Sequence, residues 1–373
     1  MLKTYKYRLF TTKKQTTKLL QTLEECRWLY NHFFEQRKTS WEQDKKGINY
    51  HAQAVSIVKL KQDRQSLSDI HSQVLQNVAV RVDLAFKAFF RRVKESKGKV
   101  GYPRFKGVGW YDSFTYPQTG FEIKDNGLRL SKIGTIKIKM HRQIEGKIKT
   151  CTIRRSATGK WYVSFSCLVE TKPLSKSDKT VGIDVGLTSF ATFSNGSKID
   201  NPRFFRKDEK DLVKVQRKLS KAEKGTPERK KRRKAVAKVH ERISNRRDNF
   251  CHQETRKIIN QYGVICIEDL SVNQMVHNHC LSKSIHDAAW SQFAQYLSYK
   301  AENAGRTLIR VNPAYTSQTC SKCGHREVKK LSDRVHHCSC CNFICDRDHN
   351  ASLNILALGT QSLGFTLKAP SNL

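Results

Sequence analysis

Acidic residues are scarce in this chain: 33 Asp and Glu stand against 70 Lys and Arg, a formal net charge of +37 on 373 residues. A bare surface of that charge repels itself, so a polyanionic partner is expected. Long apolar runs are missing too. No stretch reaches the roughly 18 apolar residues of a transmembrane helix. No basic amphipathic segment stands beside a lipid anchor, so no membrane partner is expected. The opening MLKTYKYRLF puts Lys and Arg where a secretory signal needs an apolar stretch, and a cytoplasmic location is expected. Hydrophobic residues make up only 38%. With glycine added, that still falls short of the ~45–50% of an average domain. Nucleic acid fits the charge best, because each phosphate neutralised by Lys or Arg releases counterions. A ribosomal or histone-like packing protein shares this composition, so the chemistry-bearing residues must decide.

The length suggests two or three domains. Lys3–Phe10 alternates like a strand, with Tyr5 and Tyr7 opposite Lys6 and Arg8. From Thr12 the pattern turns helical through Leu19, Leu20, Leu23, Leu29, Tyr30 and Phe33. A second helix over about His71–Arg92 gathers Leu75, Val78, Val82, Phe86 and Phe89 into one stripe. Its polar flank carries Gln73, Gln76, Asn77, Lys87 and Arg91, which are candidates for nucleic-acid contact.

Gly98–Glu170 reads as β-rich, with strands at Ile136–Met140, Lys147–Arg155 and Lys160–Val169. Gly101–Lys106 reads as a turn and a short extended piece that adds Arg104 and Lys106 to the basic candidates. Thr171–Lys179 reads as a linker.

Beyond it, strand and helix alternate. Thr180–Val185 is an apolar strand, and Ala191–Phe193 and Lys198–Ile199 flank the hairpin signal Asn195-Gly196. A long, very basic helical stretch is expected over about Asp208–Asn260. It contains Arg229, Lys230, Arg232 and Arg233 of a six-residue basic run. Gly263–Glu268 is another strand, Ser284 to Asp287 has capping-box spacing at a helix start, and Thr307–Val311 returns as a strand.

Cys320-Ser-Lys-Cys323 and Cys338-Ser-Cys-Cys341 are two CxxC knuckles. Four thiolates so spaced suit one tetrahedral structural zinc. Cys340, Cys345, His325, His336 and His337 stay open as substitute ligands. The other cysteines lie on or beside apolar segments and are expected in the core.

In a chain so poor in acids, apolar strands that end in carboxylates stand out. Asp184 closes one such strand and Glu268 another, while Asp346 and Asp348 open a helix just after the second knuckle. Carboxylates from separate segments that meet at strand ends can hold a pair of magnesium ions for phosphodiester cleavage.

These segments, taken in order, resemble the TnpB family, the insertion-sequence OrfB proteins related to type V CRISPR effectors. The resemblance runs from Tyr5-Lys-Tyr-Arg-Leu-Phe10 through Tyr102-Pro-Arg-Phe-Lys106, Gly182-Ile-Asp-Val-Gly186, Ile267-Glu-Asp-Leu270 and Tyr315-Thr-Ser-Gln-Thr-Cys320 to Asp346-Arg-Asp-His-Asn-Ala351. It implies a multidomain α+β and α/β architecture. A wedge-type β-barrel would use residues 1–10 and 98–172, and a helical recognition lobe 11–97. A RuvC (RNase H-like) nuclease domain would use 180–315 and 344–360, with a zinc ribbon at 316–343 and a flexible tail at 361–373.

The resemblance also implies catalytic and magnesium-holding roles for Asp184, Glu268 and Asp348. Asp348 is preferred over Asp346 because Asp348-His-Asn-Ala351 matches the family's last motif. The activity implied is RNA-guided cleavage of double-stranded DNA beside a short target-adjacent motif, with a guide RNA from the transposon end as partner. It would act on the nucleoid in bacterial cytoplasm, with monomer or dimer left open. The alternatives are a transposase that joins DNA ends and a guide-directed repressor without cleavage. One departure is Asn342, where the family often has glycine; the turn then needs a left-handed asparagine.

Overall fold

The computed structural model describes residues 1–95, 98, 100–125, 127–330 and 332–364. They divide into two units, Met1–Glu170 and Thr171–Leu373. Most of the expected tail, residues 365–373, lies outside the described residues.

In the first unit β1 (Leu2–Phe10) buries Tyr5, Tyr7 and Leu9 and turns Lys6 outward, as its alternation requires. Three helical elements follow: α1 (Lys13–Asp44), α2 (Tyr50–Asp63), and, after a 3-10 turn, α3 (Ser72–Glu95). Thr12 starts α1 with a capping box, its hydroxyl accepting from Gln15 N while Gln15 Oε1 accepts from Thr12 N.

Six more strands complete one sheet: β2 (Ser113–Tyr116), β3 (Phe121–Lys124), β4 (Gly127–Leu130), β5 (Gly134–Lys139), β6 (Lys147–Arg155) and β7 (Trp161–Leu168). Their order is β2-β6-β7-β1-β5-β4-β3, antiparallel throughout. The sheet curls until it is nearly closed. Tyr116 on one edge strand and Phe121 on the other have ring centroids 6.5 Å apart, and no ladder joins the edges among the described residues.

Helix α2 and strands β2–β4 go beyond the sequence expectations. Val55 and Val58 of α2 face solvent while polar Gln53 is buried, so no apolar stripe marks that helix. Gly101–Lys106 carries no strand. Lys106 N donates to Asn31 Oδ1, and Tyr102 and Phe105 pack edge-on against Phe34 of α1.

The second unit holds β8 (Thr180–Asp184), β9 (Ser189–Phe193), β10 (Lys198–Asp200), α4 (Phe204–Ser220), α5 (Pro227–Gln261), β11 (Val264–Glu268), α6 (Val272–Met275), α7 (His279–Ala288), α8 (Trp290–Ala304), β12 (Thr307–Val311), β13 (Val335–His337), β14 (Ile344–Asp346) and α9 (Arg347–Gln361). Five strands form a sheet in the order β10-β9-β8-β11-β12. The first three are antiparallel; β8, β11 and β12 run parallel. The hairpin at Asn195-Gly196 forms as expected, with Gly196 at φ +83°.

Helices α5 and α8 cover one face of this sheet, where Phe190 packs edge-on against Phe250 and Phe293. Helix α9 lies on the other face, so close that a Cβ on Gly182 would sit 2.1 Å from Ser352 O. Only glycine permits that approach.

Two helix expectations need correction. The stretch 208–260 is a hairpin of two helices, because Gly225 turns the chain, Thr226 caps α5 and Pro227 occupies its first position. Arg242 and Arg246 reach back from α5 to Asp208 of α4. Ser284 and Asp287 do not start a helix: both lie within α7, which Asn278 caps. Asp287 instead accepts from Phe205 N and pairs with Arg247 at 2.8 Å. The linker is fastened to its own unit as well, since Lys172 N and Leu174 N donate to carbonyls at the end of α8.

Candidate active site and cysteine centre

Strands β8 and β11 are parallel neighbours in register at Ile183 and Ile267, so Asp184 and Glu268 leave the sheet side by side at its C-terminal edge. Both follow the parity of the face that α9 covers. Helix α9 starts at that same edge and carries Asp348 in its first turn. Asp348 Oδ2 would lie 3.8 Å from a Cβ on Gly186, just past β8.

The electrostatics couple Asp184 to the other two acids. Burial, then the negative charges of Glu268 and Asp348, hold the Asp184 carboxyl well above the usual range, with Arg347 opposing. Burial also raises Glu268, against a 2.5 Å hydrogen bond donated by the Thr316 hydroxyl. Arg347 pairs with Asp348 at 3.4 Å. Partly buried carboxylates with so little cationic compensation are a fit for a hard, oxygen-seeking divalent cation.

Asp346 does different work. It caps α9 by accepting from the N–H groups of Asp348 and His349, and it pairs with Lys198 at 2.8 Å. Against the upward push of burial, these partners hold its carboxyl below the usual range. It is thereby engaged as a cap, while Asp348 lies toward Gly186 just past β8 and acts more strongly on Asp184.

Sequence reasoning missed the supports. Thr316, 5% exposed, is held because Asn354 Nδ2 donates to the carbonyls of Thr316 and Thr319. Asn350 Nδ2 also donates to Thr319 O, and its Oδ1 accepts from Ser321 N. The only trace in the sequence is two asparagines one turn apart on the same face of α9.

The cysteine expectation meets a matching geometry. The Sγ atoms of Cys320, Cys323, Cys338 and Cys341 all lie within 4.8 Å of one another. Cys320–Cys341 and Cys323–Cys338 are 3.7 and 3.5 Å apart. Zinc–sulfur bonds of about 2.3 Å arranged tetrahedrally put sulfurs roughly 3.8 Å apart, so the four fit a structural zinc. Backbone N–H groups of Cys341 and Cys340 help draw the Cys338 thiol down to about 6.

Among the described residues no other group of three such ligand atoms gathers this tightly, so the substitute ligands stay outside the cluster and the carboxylates are more loosely spaced. Asn342 takes the left-handed conformation its turn needs, φ 54°. Cys26, Cys151, Cys167, Cys251 and Cys266 are buried as expected, but Cys280 on α7 is exposed.

The nucleic-acid candidates divide. Gln76, Lys87, Arg91, Arg104, Lys230 and Arg233 are exposed, Lys87 with Asp83 as its partner. The rest have work inside the protein. Gln73 accepts from Thr119 N and Asn77 from Arg81 Nε. Lys106 lies over the Tyr30 ring, Arg229 donates to Leu219 O at the end of α4, and Arg232 pairs with Glu228.

A family model described as "Probable transposase" matches residues 164–279, and one described as "Cas12f1-like, TNB domain" matches 290–355. A third, "Helix-turn-helix domain", matches 1–46, where the structure has β1 and one continuous helix. A Streptomyces pristinaespiralis protein named "Putative RNA-guided DNA endonuclease" is 34% identical over 95% of this chain and 89% of its own length. An Escherichia coli K12 protein named "Putative RNA-guided DNA endonuclease InsQ" is 31% identical over 96% and 92%.

This chain belongs to the TnpB family of DNA endonucleases. Among solved structures, a Cas12f1–sgRNA–target DNA complex is similar to it in fold, with a TM-score of 0.56 at 16% identity over 92% of this chain and 83% of that one. The TnpB fold seen here is thus a mixed α/β architecture with a nearly closed sheet. Among its described residues no helix is long and apolar enough to cross a membrane.

Proposed function

We propose that this TnpB chain is an RNA-guided, magnesium-dependent endonuclease that cuts double-stranded DNA at Asp184, Glu268 and Asp348. The observation that carries the reading is the meeting of these three carboxylates at one sheet edge, with Asp184 held above its usual range by burial and then by its acidic neighbours. On this reading the five-stranded sheet with α9 is the RuvC-like nuclease and the cysteine segment its inserted zinc ribbon. The curled sheet is the wedge and the helices between β1 and β2 the recognition lobe.

The partners proposed are a guide RNA from a transposon end and target DNA, met in bacterial cytoplasm. Basic side chains neutralise phosphates, and pairing with the guide supplies sequence specificity.

Hydrolysis adds a water oxygen to phosphorus, breaks the bond to the departing sugar oxygen and passes a proton to that oxygen through solvent. Two magnesium ions held by the three carboxylates would supply Lewis-acid stabilisation of the charge on the attacking and leaving oxygens. The chain's own residues prepare that site: Thr316 aims Glu268, Asp346 caps the helix that presents Asp348, and Arg347 orients Asp348.

The test is full-length protein loaded with copurified RNA, given magnesium and a plasmid library of matched targets. Linear plasmid supports the reading. Joined ends would point instead to a transposase, and bound but intact DNA to a repressor.

A further inference from the structure

A cavity of about 120 Å³ adjoins Glu268 on the α8 side of the strand ends. Val185, Trp290, Phe293 and Ala294 form apolar and aromatic walls, and Arg310 lies at its margin, paired with Asp269 at 3.0 Å. Trp290 is 5% exposed, yet its indole N–H finds no acceptor among the described residues. A buried donor left without a partner is costly. The backbone beside it is strained: Ala289 caps α7 and opens α8 at φ 58°, a left-handed conformation that alanine rarely adopts. The strain and the unpaired donor coincide next to one of the proposed catalytic acids.

Size and chemistry narrow the occupant. A dry apolar cavity of ~150 Å³ admits benzene, so this smaller one takes no more than a single six-membered ring and excludes a fused pair. The lone N–H and the nearby guanidinium favour a ring that bears carbonyl acceptors. Trp290 and Phe293 give the cavity an aromatic lining, which suits a base. The cavity is lined in part by Glu268, so an occupant sits beside one of the proposed catalytic acids.

We propose that this cavity takes one pyrimidine base of the DNA strand being cut, so that base identity beside the scissile phosphate helps choose where the chain cuts. The inference rests on the reading of the three carboxylates as the nuclease site. It adds a protein-read preference to the specificity supplied by a guide.

The test uses the guide-loaded full chain with magnesium on matched targets randomised around the cut, followed by sequencing of the ends. At one fixed offset, pyrimidines are expected to be enriched about tenfold over purines, the scale of one hydrogen bond made by the base that fits. Trp290→Phe, which removes the N–H, and Ala294→Leu, which fills the space, should each reduce that enrichment to under about twofold. Unchanged zinc content and guide-RNA binding identify variants that have folded.

Cutting with no offset above about twofold, or enrichment unaltered in both folded variants, overturns the inference while leaving the endonuclease reading intact. A second measurement needs no cutting. DNA carrying 4-thiothymidine at successive positions, bound to the guide-loaded chain in EDTA, should crosslink at one position to the peptide containing Trp290. No such crosslink at any position means the cavity holds only water, and the inference fails even if the chain proves inactive.

Discussion

Replacing Thr316 with valine removes one hydroxyl and almost no volume. In the native protein that hydroxyl donates to Glu268 Oε1 at 2.5 Å, in a place where Thr316 is 5% exposed. A hydrogen bond to a charged group contributes about 1.5–3 kcal/mol, and burial leaves little solvent screening to discount it. If Glu268 must be aimed for cleavage, Thr316→Val should slow single-turnover cutting by roughly 10- to 100-fold, at about 1.4 kcal/mol per tenfold.

The loss should come with a higher magnesium requirement, because an unaimed carboxylate is a poorer ligand. Thr316→Ser, which keeps the donor, should restore most of the rate. Zinc content by mass spectrometry and guide-RNA binding should be unchanged in both variants, which separates aiming from unfolding. A valine variant that cuts within twofold of wild type at the same magnesium dependence would refute the argument.

Asp184→Asn should abolish cutting while leaving guide-dependent DNA binding in place. It should also raise the thermal midpoint of the metal-free chain at pH 7–8. A carboxyl raised above its unfolded value makes the native state bind protons more readily, so its charge destabilises the fold above that raised value and the cost is relieved as pH falls. Scanning calorimetry at pH 5 and pH 8 checks this; an advantage for asparagine that does not shrink at the lower pH contradicts it.

Asp346→Ala should cost about 1 kcal/mol through the lost helix cap and retain measurable cutting, whereas Asp348→Ala should lose it. Equal losses would undo the division of labour between the two acids. Cys320→Ser should lose zinc, measured by mass spectrometry, and lower the melting temperature of the second unit.

The carboxylates were legible because the sequence is poor in acids: an apolar strand that ends in Asp184 or Glu268 has few competitors in its neighbourhood. The knuckles were legible because four cysteines must be spaced as a tetrahedral site demands. Strand β1 alternates tyrosine with cations and reads directly as one wet and one dry face.

What escaped lacks that contrast. Helix α2 buries Gln53, which satisfies Arg37 and Phe33 O, and turns valines outward. The break between α4 and α5 was visible as Gly225-Thr226-Pro227, but the basic run on either side looked continuous. Ser284 and Asp287 have capping spacing by coincidence, because Asp287 is consumed by tertiary partners. Thr316, Asn350 and Asn354 escaped for a related reason: their roles are hydrogen bonds across long loops, and spacing along the chain encodes none of those.

Asp184 and Asp348 stand 164 positions apart (348 − 184), and the second reaches the first only when α9 lies down on Gly182. During synthesis the first unit, the sheet strands and both cysteine knuckles are all translated before that acid. A chain still short of α9 therefore holds Asp184 and Glu268 without the third acid, and on the proposed reading a half-made molecule is inert toward the DNA around it.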